Sequence, residues 1–332
     1  MMTPRVGIDA YSLLGDIVEG ATVDVLERVR ALGADGLQAT LPSCEGQARE
    51  LFAAASDWGM YLEPYIKLPV HWSNDAELID AREREFEVVT RLASELGART
   101  LHCSIGAGER FEDFARWQEY KQQVASVVRR LAPRLEERGL RLGIENHGDF
   151  TTRELVQLAD ASGSTHVGVG LDTGNLLYLA EDVRSATERV APIVHSVHLK
   201  DALLFPHPHG AQRSVAAPGT GQIDFDDVIG TLLRANPELN LTIEDHGDVL
   251  PVPFFDRDWL ARLPELSAVD IAASAELTAR GGRLLREHRL ADPHAVDAIP
   301  WELRAPGRLR AGIAAIRAAA GRAIQNESED ES

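Results

Sequence analysis

Residues 140–175 read LRLGIENHGDFTTRELVQLADASGSTHVGVGLDTGN. An apolar, β-prone run, Leu140–His147, leads into an amphipathic segment, Thr152–Ala161, and then into a second apolar run, Val167–Asp172. Both runs are nearly continuous in apolar residues before a polar end, the pattern of parallel strands covered on both faces. The same alternation continues outward in both directions. Upstream lie the runs Val6–Tyr11, Gly36–Thr40, Tyr61–Ile66 and Thr100–Ser104; downstream lie Ser196–Asp201 and Leu241–His246. Helical segments separate them. Thr22–Leu32 opens on an N-cap threonine and stops before Gly33. Asn74–Leu96 has a cap and an acidic first turn and stops at Gly97. Phe111–Arg138 stops at Gly139 and contains Pro133, which predicts a kink or break. Glu181–Val190 and Asp224–Asn236 follow, and an eighth helix is expected after Pro253. Alternation counted eight times selects an α/β fold of the (β/α)8 TIM-barrel kind over an open doubly wound sheet. No GxGxxG follows the first run, which counts against a dinucleotide-binding sheet.

The barrel is expected over residues 1–262 of the 332. Residues 263–324, rich in Ala, Arg and Leu, are expected to form a C-terminal helical extension packed on the barrel or on a partner. Residues 325–332, ending NESEDES, have the composition of a disordered acidic tail. Leu203–Gln222, with PHPHG and PGTG, reads as a long loop after the seventh strand, a length that is uncommon unless functional.

The formal net charge of −18 repels phosphate backbones and anionic membranes, so neither nucleic acid nor membrane is an expected partner. Two cysteines, Cys44 and Cys103, are too few for a disulfide scaffold and fit a reducing cytoplasm. The start, MMTPRVGIDAYS, lacks the basic and apolar regions of a signal peptide, and no apolar run is long enough to cross a bilayer.

In a barrel of this kind the chemistry sits at the C-terminal ends of the strands. Strand five ends GIENHGD with Glu145, strand six GVGLDTGN with Asp172, strand seven HSVHLKD with His198, and strand eight LTIEDHG with Glu244. Three carboxylates brought to one rim repel one another and take up protons. A divalent cation removes that cost by favouring the ionised form of every ligand. An oxygen-rich set with one imidazole suits Mn²⁺, the first expectation, with Mg²⁺, Co²⁺ or Zn²⁺ as alternatives.

At these residues the sequence resembles the xylose-isomerase-like TIM-barrel superfamily of sugar isomerases and epimerases. The matching segments are IEN at 144–146, VGVGLDTGN at 167–175, HSVHLKD at 195–201, PGTGQIDFDDVIGTL at 218–232 and IED at 243–245, across residues 5–262. The resemblance implies that Glu145, Asp172, His198 and Glu244 bind the metal. It also implies that the two glutamates exchange protons with a small carbohydrate from opposite faces, beside a carbonyl polarised by the cation. Members with three zinc ions and a nucleic-acid groove need more strand-end histidines and a basic surface, which this chain lacks. IENHGD is also similar to the large metal-binding subunit of bacterial C-glycoside-cleaving enzymes, which act on 3-oxo-glycosides with a smaller partner subunit. That resemblance implies a lyase with His147 as its base. A non-catalytic metal-binding barrel is the third reading.

Other residues are candidates for choosing the reaction. His147 shares a face with Glu145 if the strand continues, and an imidazole there is a candidate base or acid. Lys200 shares the face of His198 and would offset excess negative charge, or pair with Asp201 on the rim. Asn175 stands where many relatives carry histidine. His102 and Glu63 point to the same rim as candidate substrate contacts, Trp72 is a candidate for stacking on a sugar ring, and Arg213 with His207 and His209 is a candidate cover from the seventh loop. The C-terminal helices, Ile271–Arg286 and Arg308–Arg322, are candidate surfaces for a homo-oligomer or a complex with a small partner subunit.

Overall fold

The computed structural model describes residues 4–15, 20–106 and 109–330. Eight parallel strands form the central sheet: β1 (Val6–Asp9), β2 (Gly36–Thr40), β3 (Tyr61–Tyr65), β4 (Thr100–Cys103), β5 (Arg141–Glu145), β6 (Val167–Asp172), β7 (Val194–His198) and, after an insertion, β10 (Leu241–Ile243). β10 pairs with β1, so that Val6 lies beside Leu241 and Ile8 beside Ile243. The far edge closes where the Leu199 N–H of the β7 end donates to Thr242 O at 2.8 Å. The fold is a TIM barrel, as the alternation predicts.

Outside lie the helices Val23–Ala31, Glu45–Asp57, Ala76–Glu95, Phe114–Glu137, Thr152–Ser162, Val183–Val190 and Phe225–Ala235. Their buried faces follow helical spacing: Trp117, Tyr120, Val124, Val128, Leu131 and Leu135 of one helix all point at the sheet. Glu45–Asp57 is a layer helix that the apolar pattern did not single out. Pro133 sits inside Phe114–Glu137 without ending it, and the break falls instead before Phe114, where Asp113 caps the helix by accepting from the Arg116 N–H.

Two further expectations are corrected. The long seventh loop is an antiparallel hairpin, β8 (Asp201–His207) and β9 (Gly210–Ala216), and β11 (Val249–Val252) adds to β9 as a third strand. PHPHG is its turn. The ALLF run of β8 is buried throughout rather than alternating, and Pro206 interrupts it, so period-2 patterning did not reveal a strand. The helix after Pro253 is a single turn, Arg257–Leu260. The layer position over β1 and β10 is taken by the final helix, Trp301–Asp330, whose Leu309, Ile313, Ile316 and Ala320 join the barrel core. The helix is described as far as Asp330; Glu331 and Ser332, the end of the expected tail, lie outside the described residues. The helix Ala268–Arg286 packs on β8, close enough that a Cβ on Gly281 would lie 1.9 Å from Leu204 O. No helix among the described residues is long and apolar enough to cross a membrane.

Candidate metal centre

Glu145 and Asp172 are the last residues of β5 and β6, His198 is the last of β7, and Glu244 follows β10. Parallel register puts Asp172 directly beside His198. One ligand atom from each of the four lies within 4.8 Å of the others, and all four residues are buried. His198 Nδ1 stands 3.1 Å from Glu244 Oε2, 3.5 Å from Glu145 Oε1 and 4.0 Å from Asp172 Oδ2.

The barrel interior below the cluster orients these groups. His198 Nε2 bonds Gln38 Oε1, an atom that only accepts, so Nε2 carries a proton and Nδ1 is the ring atom that faces the carboxylates. Gln38 in turn donates to Glu63 Oε2 at 3.3 Å, and Asn240 donates to Glu63 Oε1 at 2.8 Å. Glu63 thus reaches the cluster only through Gln38. His102 donates from Nε2 to Glu145 Oε2 at 3.1 Å, which leaves its Nδ1 to accept from Ser196 Oγ at 2.8 Å. Gly170 makes room for that ring: a Cβ there would lie 2.9 Å from His102 Cε1. Neither His102 nor Glu63 lines the cavity above.

The electrostatics follow from burial and charge. Burial pushes Asp172 up to about 7, with Lys200 opposing and the two glutamates adding. Burial also opposes ionisation of Glu145 and Glu244. Nearby cationic groups outweigh it, His147 and His198 for the first and Lys200 and His198 for the second, and hold both well below the usual carboxylate range. Burial lowers His198, but Glu244 and Glu145 raise it further, to well above the ordinary histidine value. Lys200 Nζ lies 2.8 Å from Asp172 Oδ2 and 2.6 Å from Glu244 Oε2. It is buried among the ligands, not paired with Asp201, whose carboxylate accepts from Gly219, Gly221 and Ile223. Asp172 Oδ2, His198 Nδ1 and Glu244 Oε2 are all buried without a partner of hydrogen-bond geometry. Converging donor atoms of this kind, with the proton of His198 Nδ1 given up on binding, fit a cation. With Lys200, a divalent ion would bring the three carboxylates to neutrality.

Above the cluster opens a cavity of about 930 Å³, lined by Glu145, His147, Asn175, His198, Lys200, Arg213 and Glu244 among others. β5 ends at Glu145, and His147 lines the cavity from two residues past the strand, just before the chain turns at Gly148, at φ 78°. Its Nδ1 donates to Gly106 O at 2.9 Å and its N–H to Asp149 Oδ1 at 3.1 Å, leaving Nε2 as the free ring nitrogen. Arg213 is buried on β9, not in a mobile cover. His207 and His209 lie at the hairpin turn and do not line the cavity. Trp72 is also away from it, set edge-on to Tyr120 at 5.4 Å with the Arg116 guanidinium 4.6 Å over its ring. The structure adds residues that the sequence did not single out. Asp9, Tyr11, Tyr65, His246 and Asp248 line the cavity, and burial pushes Asp9 up to about 7 and His246 down to about 4. The one legible signal was Gln38, a polar residue inside the apolar run of β2.

The family model described as xylose isomerase-like TIM barrel matches residues 26–266, and the chain belongs to that family. An inosose dehydratase of Bacillus thuringiensis (strain Al Hakam) is 27% identical over 155 residues, covering 41% of this chain and 51% of the relative. The chain spans about a third to a half of the length of the curated relatives it matches. Among solved structures, an L-ribulose 3-epimerase is similar with a TM-score of 0.56 and 19% identity, over 89% of this chain and 99% of the other. A xylose isomerase-like TIM barrel protein from Mycobacterium smegmatis in complex with magnesium is similar with a TM-score of 0.60 and 16% identity, over 83% and 98%.

Proposed function

We propose that this chain is a divalent-metal-dependent enzyme that moves a proton next to a carbonyl of a small carbohydrate, as an isomerase or epimerase. The carrying observation is the buried set Glu145, Asp172, His198 and Glu244, whose ligand atoms converge with Lys200 as the cation already beside two of them. A bound divalent ion, Mn²⁺ by preference, would polarise the carbonyl and acidify the neighbouring C–H. Glu145 and Glu244 are the proton-moving carboxylates of this reading, and Lys200 offsets their charge beside Asp172. The epimerase and magnesium-bound barrels of the same fold support it. The test is metal analysis of the purified chain, with Glu145→Gln and Glu244→Gln alongside, followed by a ketose screen. About one Mn, Co, Mg or Zn per chain, lost in both variants, is the expected result. A chain that takes up no metal after dialysis against each cation would sink the reading.

His147 favours a second reading, a lyase. Its Nδ1 is committed to the Gly106 carbonyl, so Nε2 is the ring nitrogen that would act on a substrate in the cavity, as a base once a bound cation takes over from the imidazolium in offsetting Glu145. Abstraction beside a carbonyl then ends in loss of a leaving group instead of return of the proton. The inosose dehydratase relatives support that outcome, as does the resemblance of IENHGD to the C-glycoside-cleaving subunit, which works with a small partner. His147→Asn with metal retained, assayed on ketoses and on 3-oxo-glycosides with any co-encoded small subunit, separates the two. An isomerase using the glutamates keeps most of its rate; a lyase using His147 loses roughly 10²–10⁴-fold.

A further inference from the structure

We propose that Arg213 of the antiparallel sheet and Arg308 of the C-terminal helix are positioning residues that set Glu145 and Glu244 for the metal; the proposal rests on the metal reading above. Neither arginine touches a member of the cluster. Each acts through one intermediate residue.

Arg213 Nη2 grips Asp248 at 2.7 and 2.6 Å, and Nη1 donates to Asn175 Oδ1 at 2.9 Å. A guanidinium only donates, so Asn175 must turn its oxygen towards Arg213. Its Nδ2 then faces Glu145 Oε1, at 3.3 Å, while its backbone N–H bonds Asp172 Oδ1 at 2.9 Å. One asparagine therefore holds two of the four residues, and Arg213 decides which way its amide points. Without that arginine the flipped amide sets an oxygen against the Glu145 carboxylate.

Arg308 Nε and Nη2 donate to Asp245 Oδ2 and Oδ1 at 2.8 and 2.6 Å, a bidentate grip on a fully buried carboxylate. Asp245 is the next residue after Glu244. Its own N–H bonds Ser12 Oγ at 2.8 Å, and the Ser12 carbonyl accepts from Trp301 Nε1 at 2.9 Å. The strand that delivers Glu244 is only Leu241–Ile243, so pairing with β1 ends before the glutamate. Arg308 and Ser12 anchor the chain just past it. The anchor lies beyond residues 26–266, the span the family model matches.

The test strips the full-length chain of metal and titrates Mn²⁺ against a chelating dye, for wild type and for Arg213→Gln, Arg308→Gln and Arg317→Gln. Arg317 is on the same helix and pairs with the half-buried Asp35 away from the cluster, so it controls for a lost ion pair. Removing an outer partner of a metal ligand costs about 10–100-fold in affinity. That loss is expected for Arg213→Gln and Arg308→Gln, with Arg317→Gln like wild type. Affinity within about twofold of wild type in the first two, while Glu244→Gln loses the metal, would overturn the proposal and leave the metal reading intact. Should Glu244→Gln itself bind Mn²⁺ like wild type, the metal reading falls and takes the proposal with it. If Arg308→Gln or Arg213→Gln does not fold, Arg308→Lys and Asn175→Asp replace them. The lysine keeps one charged bond and is expected to lie between wild type and Gln. The aspartate keeps Arg213 paired but opposes Glu145, and is expected to lose affinity. Unchanged affinity in both overturns the proposal.

Discussion

Glu145 and Glu244 sit at the two ends of the arc β5–β6–β7–β10, and their surroundings differ. Both oxygens of Glu145 accept from neutral side-chain donors, His102 below and Asn175 beside it. Glu244 is held by charge: Lys200 Nζ at 2.6 Å and His198 Nδ1 at 3.1 Å face its Oε2, which has no partner of hydrogen-bond geometry. Hydrogen bonds fix direction as well as distance, whereas an ion pair fixes mainly distance. Glu145 is therefore the directionally constrained carboxylate and Glu244 the one whose place depends on neighbouring cations.

The sharpest way to break that comparison is to neutralise each in turn. Glu145→Gln turns an amide NH₂ against donors, so it should lower metal affinity by about a hundredfold or more and cost the metal-free protein about 2 kcal/mol. Glu244→Gln should lose comparable affinity but cost the metal-free protein less, because Lys200 keeps Asp172 as its partner and one like charge leaves the ring. Equal melting losses in both would erase the distinction.

Lys200→Met probes the Glu244 side alone. It strips the buried cation from Asp172 and Glu244 and should cost the metal-free protein about 3 kcal/mol, most of it recovered on saturation with metal. Chemical denaturation with and without Mn²⁺ reads this directly; a loss that metal does not restore would argue that Lys200 is structural only. On the Glu145 side, Ser196→Ala leaves His102 Nδ1 without its donor, and a roughly tenfold weaker metal affinity is expected from calorimetric titration.

The smallest effect belongs to His195, on the outer face of β7, three residues before His198. Burial pushes it down to about 4 while Thr165 O accepts from it, with no carboxylate ring to reverse the shift. Its folded pKa lies below the unfolded value of about 6.5. The native state thus binds fewer protons between those values, so this contribution to stability is full above pH 6.5 and is lost as pH falls towards 4. His195→Gln should flatten the stability–pH curve across that window by about 1 kcal/mol, and a parallel curve would sink the assignment.

Much of the site was legible because of where it stands on the strands. Each of Glu145, Asp172, His198 and Glu244 closes an apolar run, and parallel strands in a closed barrel deliver their C-terminal ends to one rim. His147 and Arg213 were legible as residues but not as geometry. His147 stands past the end of its strand, and Arg213 on a hairpin whose buried run and internal proline resemble a loop. His102 and Glu63 were read as rim residues but lie beneath the cluster, where they orient Glu145 and Gln38.

By itself, then, the order of apolar runs and helical segments determined the barrel and the identity of the four clustered residues, since both rest on local periodicity and on the shared direction of parallel strands. Only the tertiary structure decided which neighbours hold them. Gln38 lies 160 residues from His198, Arg308 lies 63 from Asp245, and the final helix completes the layer over β1 and β10. Such pairings depend on how the chain closes on itself, and a hydrogen-bond partner brought from that far leaves no periodic trace beside the residue it serves.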